Sequence, residues 1–221
     1  MKIAEMNIVV TGANGAVGSV VFKHFHKYAQ SVIGTLISQD QDWINRFGEL
    51  YEVVDLTNKS AVQTAVAKIH QKMGSIHGWV NIAGGFLGGK LVEECSEDWE
   101  KMIRMNFFTA LHACQAILPI MKAQGFGRII NIGAQPALEG LKSGGPYSVS
   151  KAMVHTLSKT IGLEAGPNVT CNCLVPWTID TPANRSAFPD ARHENWTKRE
   201  KVADKIVQIF ESTENCKLKF V

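Results

Sequence analysis

The 221-residue chain is 45% hydrophobic and carries a net charge of only +3, with no run of lysine or arginine, so no nucleic-acid partner is predicted. It has no apolar stretch long enough to cross a bilayer and no signal-peptide pattern at its first residues, so no membrane association is predicted. Five cysteines without a secretory signal indicate reduced thiols in a cytoplasmic protein, and neither they nor the seven histidines have the spacing of a metal site.

Short apolar segments alternate with longer amphipathic ones, which is typical of βαβ units around a parallel sheet. With no repeat and no linker, we predict one α/β domain over residues 1–221, a Rossmann-like doubly wound parallel sheet flanked by helices. The predicted elements are, in chain order, a strand at 7–10, a helix that begins in the glycine turn after it, strands at 31–37 and 51–54, a helix at 61–72, a strand at 78–82, a helix from 96 toward 123, a strand at 128–132, a helix from 147 to near 166, a strand at 169–175, a helix after 197 and a strand at 216–221. Thr197 and Glu200 have the spacing of a capping box for the last helix.

The first strand is followed by a glycine-rich turn, Thr11-Gly12-Ala13-Asn14-Gly15-Ala16-Val17-Gly18. Gly12 would allow a tight turn, Gly15 the approach of a diphosphate to the backbone, and Gly18 close packing of helix on strand. Free amides at the helix N-terminus would bind the phosphates. A plain turn is the alternative, but the strand–turn–helix context favours a dinucleotide site. Its predicted residues are Gly12, Asn14, Gly15, Ala16 and Val17.

Two further predicted strand ends support a nucleotide. Asp55, followed by Leu56, ends the third strand and would accept a hydrogen bond from an adenine amino group; an ordinary turn carboxylate is the alternative. The fourth strand ends in Asn81-Ile82-Ala83-Gly84 at the carboxyl edge of the sheet, where such folds bind ligands. Its small residues leave room for a ribose, so Asn81, Ala83 and Gly84 are predicted cofactor contacts.

Tyr147 and Lys151 stand four positions apart, so on a helix the phenol and the ammonium group lie on one face. The positive charge would favour the phenolate and lower the tyrosine pKa from about 10. Such a tyrosine can transfer a proton near neutral pH. The spacing alone is common on helix surfaces, but downstream of a glycine-rich turn it predicts an acid/base pair.

With these motifs, and with Asn106, Pro176 and Thr181, the chain resembles the short-chain dehydrogenase/reductase family over essentially its whole length. The resemblance implies NAD(P)-dependent hydride transfer, in which Tyr147 is the acid/base. It also implies that Lys151 holds the nicotinamide ribose and that Asn106 positions a relay water. Cofactor contacts are further implied at Tyr147, Lys151, Pro176, Thr178 and Thr181, the last of these on the nicotinamide amide.

Ala134 departs from that family pattern. Family members usually place a serine there, where it binds the substrate carbonyl, and losing one oxyanion donor typically costs about a hundred- to a thousandfold in rate. Either another group supplies the bond, or the substrate needs little polarisation at this position. The candidate replacements are Gln135, Ser143 and Thr178.

The second alternative points to the dihydropteridine reductases, which the chain resembles over residues 133–140 and 176–185, at Pro189 and over residues 195–197. Those enzymes also lack the serine and reduce a quinonoid dihydropterin, a ring that already accepts hydride well. Asn106 departs from that subgroup and matches the general family. A carbonyl reductase or alcohol dehydrogenase, and a dinucleotide-sensing protein without catalysis, are the alternatives.

The end of the second predicted strand does not decide between NAD and NADP. NAD-specific members carry an acid there, and dihydropteridine reductases carry one about where Leu36 stands, whereas this chain has none before Asp40. No lysine or arginine is present in this segment to attract a 2′-phosphate. We therefore predict that either NAD or NADP is accepted.

Aromatic residues and one arginine mark the substrate side. Trp177, Phe188 and Trp196 would stack on a flat heterocycle or pack a lid against the core, and Arg185 would bind a polar substrate group or simply lie on the surface. Ala134 and Gln135 complete the predicted substrate contacts. The helices at 97–123 and 147–165 resemble those that pair between family subunits, so a homodimer is expected.

Overall fold

The structure, a computed structural model, describes residues 1–93 and 95–221. Within these ranges the strands are β1 Asn7–Thr11, β2 Ser31–Leu36, β3 Tyr51–Val53, β4 Gly78–Asn81, β5 Gly127–Ile132, β6 Val169–Val175 and β7 Leu218–Phe220. They form one sheet in the order β3-β2-β1-β4-β5-β6-β7, and every neighbouring pair is parallel. The strand order reverses direction between β1 and β4, which is where doubly wound folds bind ligands. The predicted Rossmann-like fold is confirmed.

The helices that cover the sheet are α1 Gly18–Tyr28, α2 Gln41–Phe47, α3 Lys59–Met73, α4 Ser96–Met102, α5 Thr109–Gln124, α6 Pro136–Glu139, α7 Gly145–Glu164, α8 Pro182–Ala187 and α9 Arg199–Glu211. A π-helix, Ile103–Phe108, joins α4 to α5, and short 3₁₀ helices lie at Ile3–Glu5 and His193–Asn195. The sequence did not predict α2, α6 or α8, because four to seven residues are too few to show a helical period.

Both faces of the sheet are buried, so its strands are apolar along most of their length. On one face α1 and α9 pack through Phe25 and Phe210, whose rings stack 5.6 Å apart. Trp43 of α2 joins the same layer, edge-on to Phe22 at 4.4 Å. Helices α3, α5 and α7 cover the other face. The site therefore forms where the strand ends emerge from between the two layers.

The predicted capping box at the last helix is wrong. Lys198 precedes the first turn of α9, and the Thr197 hydroxyl donates to the Val221 carbonyl at 3.2 Å instead. Thr197 is extended because its backbone pairs with the chain after β6, bonding Thr178 and Asp180 at 2.9 Å each. That pairing ties the segment beyond β6 to the start of α9.

Candidate active site

Glycines shape the turn between β1 and α1 because side chains would not fit there. Gly12 has φ of 60°, and a Cβ on it would come within 3.1 Å of the Ala83 Cα. A Cβ on Gly18 would overlap the carbonyl oxygen of Gly12. Thr11 fixes the neighbouring strand end, since its hydroxyl accepts from the amides of Ile82 and Ala83 at 2.9 and 3.0 Å. The ends of β1 and β4 are thereby held together beside an open turn.

A cleft of about 570 Å³ lies over this turn and runs along the carboxyl ends of β1, β2 and β4. Its size and its glycine-lined floor fit part of a dinucleotide, with the phosphates at the start of α1. Many predicted cofactor residues line it: Gly12, Asn14, Gly15, Ala16, Val17, Asp55, Leu56, Ala83 and Gly84. Six others do not: Asn81, Tyr147, Lys151, Pro176, Thr178 and Thr181. The sequence missed several further lining residues, among them Thr35, Ile37, Lys101, Arg104 and Met105.

Asp55 and Asn81 hold different positions around the cleft. Asp55 is exposed, and one of its oxygens accepts from both the amide and the hydroxyl of Thr57 at 2.8 Å. A carboxylate keeps further acceptor capacity, so Asp55 can still meet an adenine amino group. Asn81 is buried beneath the cleft and bonds the Trp79 indole at 2.8 Å and Asn131 at 2.7 Å. Its side chain is committed to fixing β4 against β5.

Lys151 is buried one turn after Tyr147 on α7, and its Nζ donates to the Ile132 carbonyl at 2.8 Å. Burial lowers the pKa of Lys151 to about 8. Although Tyr147 is only partly buried as a residue, desolvation raises the pKa of its phenol to about 12. The predicted lowering of the tyrosine pKa is therefore wrong here, because the shift is caused by desolvation, which raises the pKa of a phenol. At neutral pH the pair consists of a protonated phenol and a largely protonated amine.

Asn106 lies in the π-helix and is buried against α7. Its amide exchanges two hydrogen bonds with the backbone of Gly85, both 3.0 Å long, and donates to the Ser150 hydroxyl at 3.0 Å. A Cβ on Gly84 would come within 2.5 Å of the Asn106 Oδ1 and 3.6 Å of the Lys151 Nζ. Asn106 thus lies beside Lys151 and anchors the loop that follows β4.

Ala134 is buried just past the end of β5, and its amide donates to the Nε2 of His155 at 3.3 Å. Burial, reinforced by the charge of Lys151, lowers the pKa of His155 to about 4, so the ring is neutral at pH 7. Because Nε2 accepts, we assign the ring proton to Nδ1. The position has no side-chain donor, and its backbone donor is already used.

The three candidate replacements for the missing serine are placed differently. The Nε2 of Gln135 donates one of its two N–H groups to Glu139 at 2.7 Å, while its buried Oε1 has no partner in the described residues. Ser143 is exposed with a left-handed φ of 56°, and its carbonyl accepts from Gly89 at 3.1 Å. Thr178 is exposed. None of the three hydroxyl or amide groups stands at position 134 itself, so a replacement donor would have to reach the substrate from a neighbouring position.

The segment beyond β6 begins at buried Pro176, whose carbonyl accepts from the backbone N–H of Gln135 at 3.1 Å. Thr181 is buried and caps α8 by accepting from the Asn184 amide at 3.1 Å. Arg185 forms a two-pronged ion pair with Asp180, at 2.6 and 2.9 Å, and lies about half exposed. The surface alternative for Arg185 is thus the better description of its contacts.

Aromatic rings cover Tyr147 from the outside. Phe86, in the glycine-rich loop after β4, lies edge-on to Tyr147 with ring centres 5.1 Å apart. Phe188, at the end of α8, lies 5.9 Å from Phe86. Trp196 packs on His193 at 4.4 Å, and Trp177 is 59% exposed. Phe86, which the sequence reasoning did not single out, is the aromatic residue in contact with the predicted acid/base.

Residues 1–93 and 95–221 contain neither a metal-binding cluster nor a membrane-spanning helix. No group of three histidine, cysteine or acidic side chains is arranged to bind a metal ion. Cys171 and Cys173 are fully buried within the apolar layers beside α7. In the same part of the chain, no helix combines the length and apolarity that a bilayer crossing requires.

The sequence profile of the short chain dehydrogenases matches residues 6–192. The chain belongs to this family. An oxidoreductase of Staphylococcus epidermidis is 27% identical over 213 residues, covering 93% of this chain and 91% of the relative. One from Staphylococcus saprophyticus is 30% identical over 193 residues, covering 82% of each chain. Among solved structures, ligand-free aldohexose dehydrogenase from Thermoplasma acidophilum superposes with a TM-score of 0.88 at 25% identity, covering 99% of this chain and 93% of its own.

Membership of the short-chain dehydrogenases makes this protein an oxidoreductase that binds NAD or NADP. The cleft over the β1–α1 turn is the part of the structure that corresponds to this dinucleotide site. The names of these relatives do not extend to the substrate of this chain, and none of those three is named a dihydropteridine reductase.

Proposed function

We propose that this protein reduces a quinonoid dihydropterin to the tetrahydro form with NADH or NADPH. The observation that carries the proposal is Ala134, a buried position without a side-chain donor whose amide is bonded to His155. A ketone needs a donor where its oxygen becomes negative, whereas a quinonoid ring delocalises the added electrons onto its own nitrogens. A site with Tyr147 and Lys151 but no such donor suits the second kind of acceptor.

The reduction adds one hydride and one proton to the pterin. When bound, the nicotinamide dinucleotide supplies the hydride and becomes oxidised. Tyr147 supplies the proton to a ring nitrogen, since the phenol is protonated at neutral pH. Lys151, positioned by the Ile132 carbonyl, neutralises the phenolate that remains and restores its proton from solvent.

Asn106 and the aromatic rings have supporting roles in this scheme. Asn106 fixes the Gly85 backbone beside Lys151, which keeps the entrance between β4 and α7 in one shape. Phe86 and Phe188 form an apolar wall over Tyr147 against which a flat heterocycle can lie. Excluding water there strengthens the interaction of the phenol with the substrate nitrogen.

A carbonyl reductase or alcohol dehydrogenase is the second candidate, and it is favoured by the dehydrogenase name of the structural relative. It would need a donor from Gln135, Ser143 or Thr178 to reach the substrate carbonyl, and one N–H of the Gln135 side chain is already bonded to Glu139. A dinucleotide sensor without catalysis is the third. The buried placement of Lys151 and Asn106 beside Tyr147 argues against it, because a sensor needs no proton relay.

Steady-state assays with quinonoid dihydropterin, run separately with NADH and NADPH, test the proposal. We expect turnover with the pterin well above that with simple ketones. Tight dinucleotide binding without turnover of either substrate would instead support the sensor, and faster turnover of ketones would support the carbonyl reductase.

Ala134→Ser separates the two enzyme hypotheses. We expect about a tenfold or larger gain on ketones from the restored donor, with pterin turnover unchanged within about twofold. Ala137→Ser, the same change in α6, is the matched control and should alter neither rate. A gain of similar size on both substrates would contradict the proposal.

We also propose a homodimer through the outer faces of α5 and α7. Leu163 and Val149 of α7 are 81% and 43% exposed, and apolar side chains on a helix face favour pairing with a second copy. A sizing measurement without denaturant that finds only particles of the 24.3 kDa chain would overturn the dimer.

A further inference from the structure

In NAD-specific family members, an acidic residue near the end of the second strand selects NAD. The end of β2 has no side chain that could make this selection here. Leu36, the last residue of β2, is buried in the core, and only 1% of it is exposed. Ile37 follows at the cleft rim, 67% exposed and without a charge. Neither can bond a ribose hydroxyl or repel a phosphate through its side chain, so any selection must come from elsewhere on this rim.

Asp40 does not line the cleft itself, but two hydrogen bonds hold it beside the cleft residue Asn14. Its Oδ2 accepts from the Asn14 side chain at 2.9 Å, and Asn14 lines the cleft at the glycine turn. Its Oδ1 accepts from the Trp43 amide at 3.0 Å, which makes Asp40 the N-cap of α2. The carboxylate is therefore tied both to the dinucleotide turn and to a helix.

The position of α2 is itself fixed by the core. Trp43 is buried and packs on Phe22, and a Cβ on Gly34 of β2 would come within 3.0 Å of the Trp43 ring. Glycine at this strand position lets the indole lie close to the sheet. Asp40 therefore has a fixed position at the N-terminus of a packed helix, although in the sequence it follows the turn after β2.

We infer that Asp40 makes the cleft prefer NADH to NADPH, by accepting from the adenosine ribose and repelling a 2′-phosphate. The inference rests on the dinucleotide-dependent activity proposed above and names the cofactor for it. A carboxylate with two accepted bonds keeps acceptor capacity for a ribose hydroxyl. Like charges on a phosphate and on Asp40 repel each other across the rim.

Charged groups near Asp40 and elsewhere in the cleft either support or oppose this preference for NADH. The bond from Asn14, and next the Trp43 amide, lower the pKa of Asp40, and Arg46 of α2 adds a smaller effect, so the carboxylate stays ionised at neutral pH. Lys101 and Arg104, from α4 and the π-helix, line another part of the cleft. If these two cations reached a 2′-phosphate, the preference would be reversed.

Direct titration of the purified protein with NADH and with NADPH tests the inference without requiring turnover. We expect the wild type to bind NADH at least about tenfold more tightly than NADPH. Asp40→Asn retains an oxygen that can cap α2 and removes only the charge, so it should tighten NADPH binding about tenfold and change NADH binding by less than about threefold. Asp42→Asn, the same substitution on the exposed first turn of α2, is the matched control and should leave both affinities unchanged.

Several outcomes would overturn the inference. Equal affinity for the two dinucleotides, preference for NADPH, or identical behaviour of Asp40→Asn and Asp42→Asn would each contradict it while leaving the reductase activity untouched. Failure to bind either dinucleotide would overturn the proposed function as well, so the two failures are distinguishable.

Discussion

The dinucleotide side of the sheet edge and the substrate side are built by different means. Around β1, β2 and β4 the cleft is formed mostly by backbone, with Gly12 and Gly18 leaving space that a Cβ would fill. Around β5 and β6, buried side chains such as Lys151, Asn106 and His155 are each fixed by specific bonds. The first region specifies a shape for a ligand common to many enzymes, whereas the second specifies chemistry, so substitutions in the two regions should fail in different ways.

The largest effect should come from Tyr147→Phe on the substrate side. Removing the proton donor should lower kcat by about 10²- to 10⁴-fold, because the phenol is the acid of the reaction. Dinucleotide affinity, measured by titration, should change by less than about twofold. Tyr28→Phe removes the same hydroxyl from the exposed end of α1 and should have no effect. A parallel loss of dinucleotide binding would mean that the two regions are not separable.

Gly18→Ala should instead disrupt the turn that forms the dinucleotide cleft. The added Cβ would overlap the Gly12 carbonyl, so the turn must shift, and we expect a loss of about 1–3 kcal/mol in unfolding free energy. The shifted turn should also weaken NADH binding about tenfold or more. Gly48→Ala is the control, since it has φ of 59° and free space around it. Its ψ is −135°, a conformation that residues other than glycine rarely adopt, so alanine should cost about 1–3 kcal/mol and leave dinucleotide affinity unchanged.

Lys151→Met tests the substrate side through the pH dependence of the unfolding free energy. The folded pKa of Lys151 is about 8, below the usual value of 10.5, so between these pH values the unfolded chain binds more protons. The wild type should therefore gain stability as the pH rises from 8 toward 10.5, by about 3 kcal/mol in total. Lys151→Met should lack this gain, and the difference between their urea unfolding free energies at pH 7 and 10 measures it. A constant difference would show that Lys151 titrates normally.

Arg185→Gln should have the smallest effect. Its ion pair with Asp180 is solvent-exposed, and such pairs contribute about 0–1 kcal/mol. We expect less than about 0.5 kcal/mol in unfolding free energy and an unchanged KM for the pterin. A tenfold rise in KM at constant kcat would instead place Arg185 on the substrate and extend the side-chain-built region beyond β6.

The sequence was most informative where local chemistry decides the structure. The strand at 169–175 was predicted to the residue, because short, mostly apolar segments that alternate with helices indicate buried parallel strands, even though Thr170 and Asn172 interrupt the apolar run here. The glycine turn was found because only glycine allows its close contacts. Short helices such as α2 were missed, and with α2 the packing of Trp43 that places Asp40.

Contacts between distant positions could not be predicted from the chain. Ala134 and His155 lie 21 residues apart, and no spacing rule pairs a backbone amide with a ring nitrogen. The pKa of Tyr147 depends on how much protein surrounds the phenol, so the neighbouring lysine alone gave the wrong direction. Asn81 was expected at a ribose, yet three-dimensional packing commits it to Trp79 and Asn131.

The π-helix at Ile103–Phe108 makes the orientation of Asn106 sensitive to the insertion or deletion of a single residue. A π-turn carries one residue more than an α-turn, and each residue of an α-helix rotates its successor by about 100°. Deleting a single residue from this turn would let α4 and α5 merge into a regular helix and would rotate everything after the deletion. Asn106 would then face away from Gly85 and Ser150 although no site residue had been replaced, so indels here would be more damaging than most substitutions.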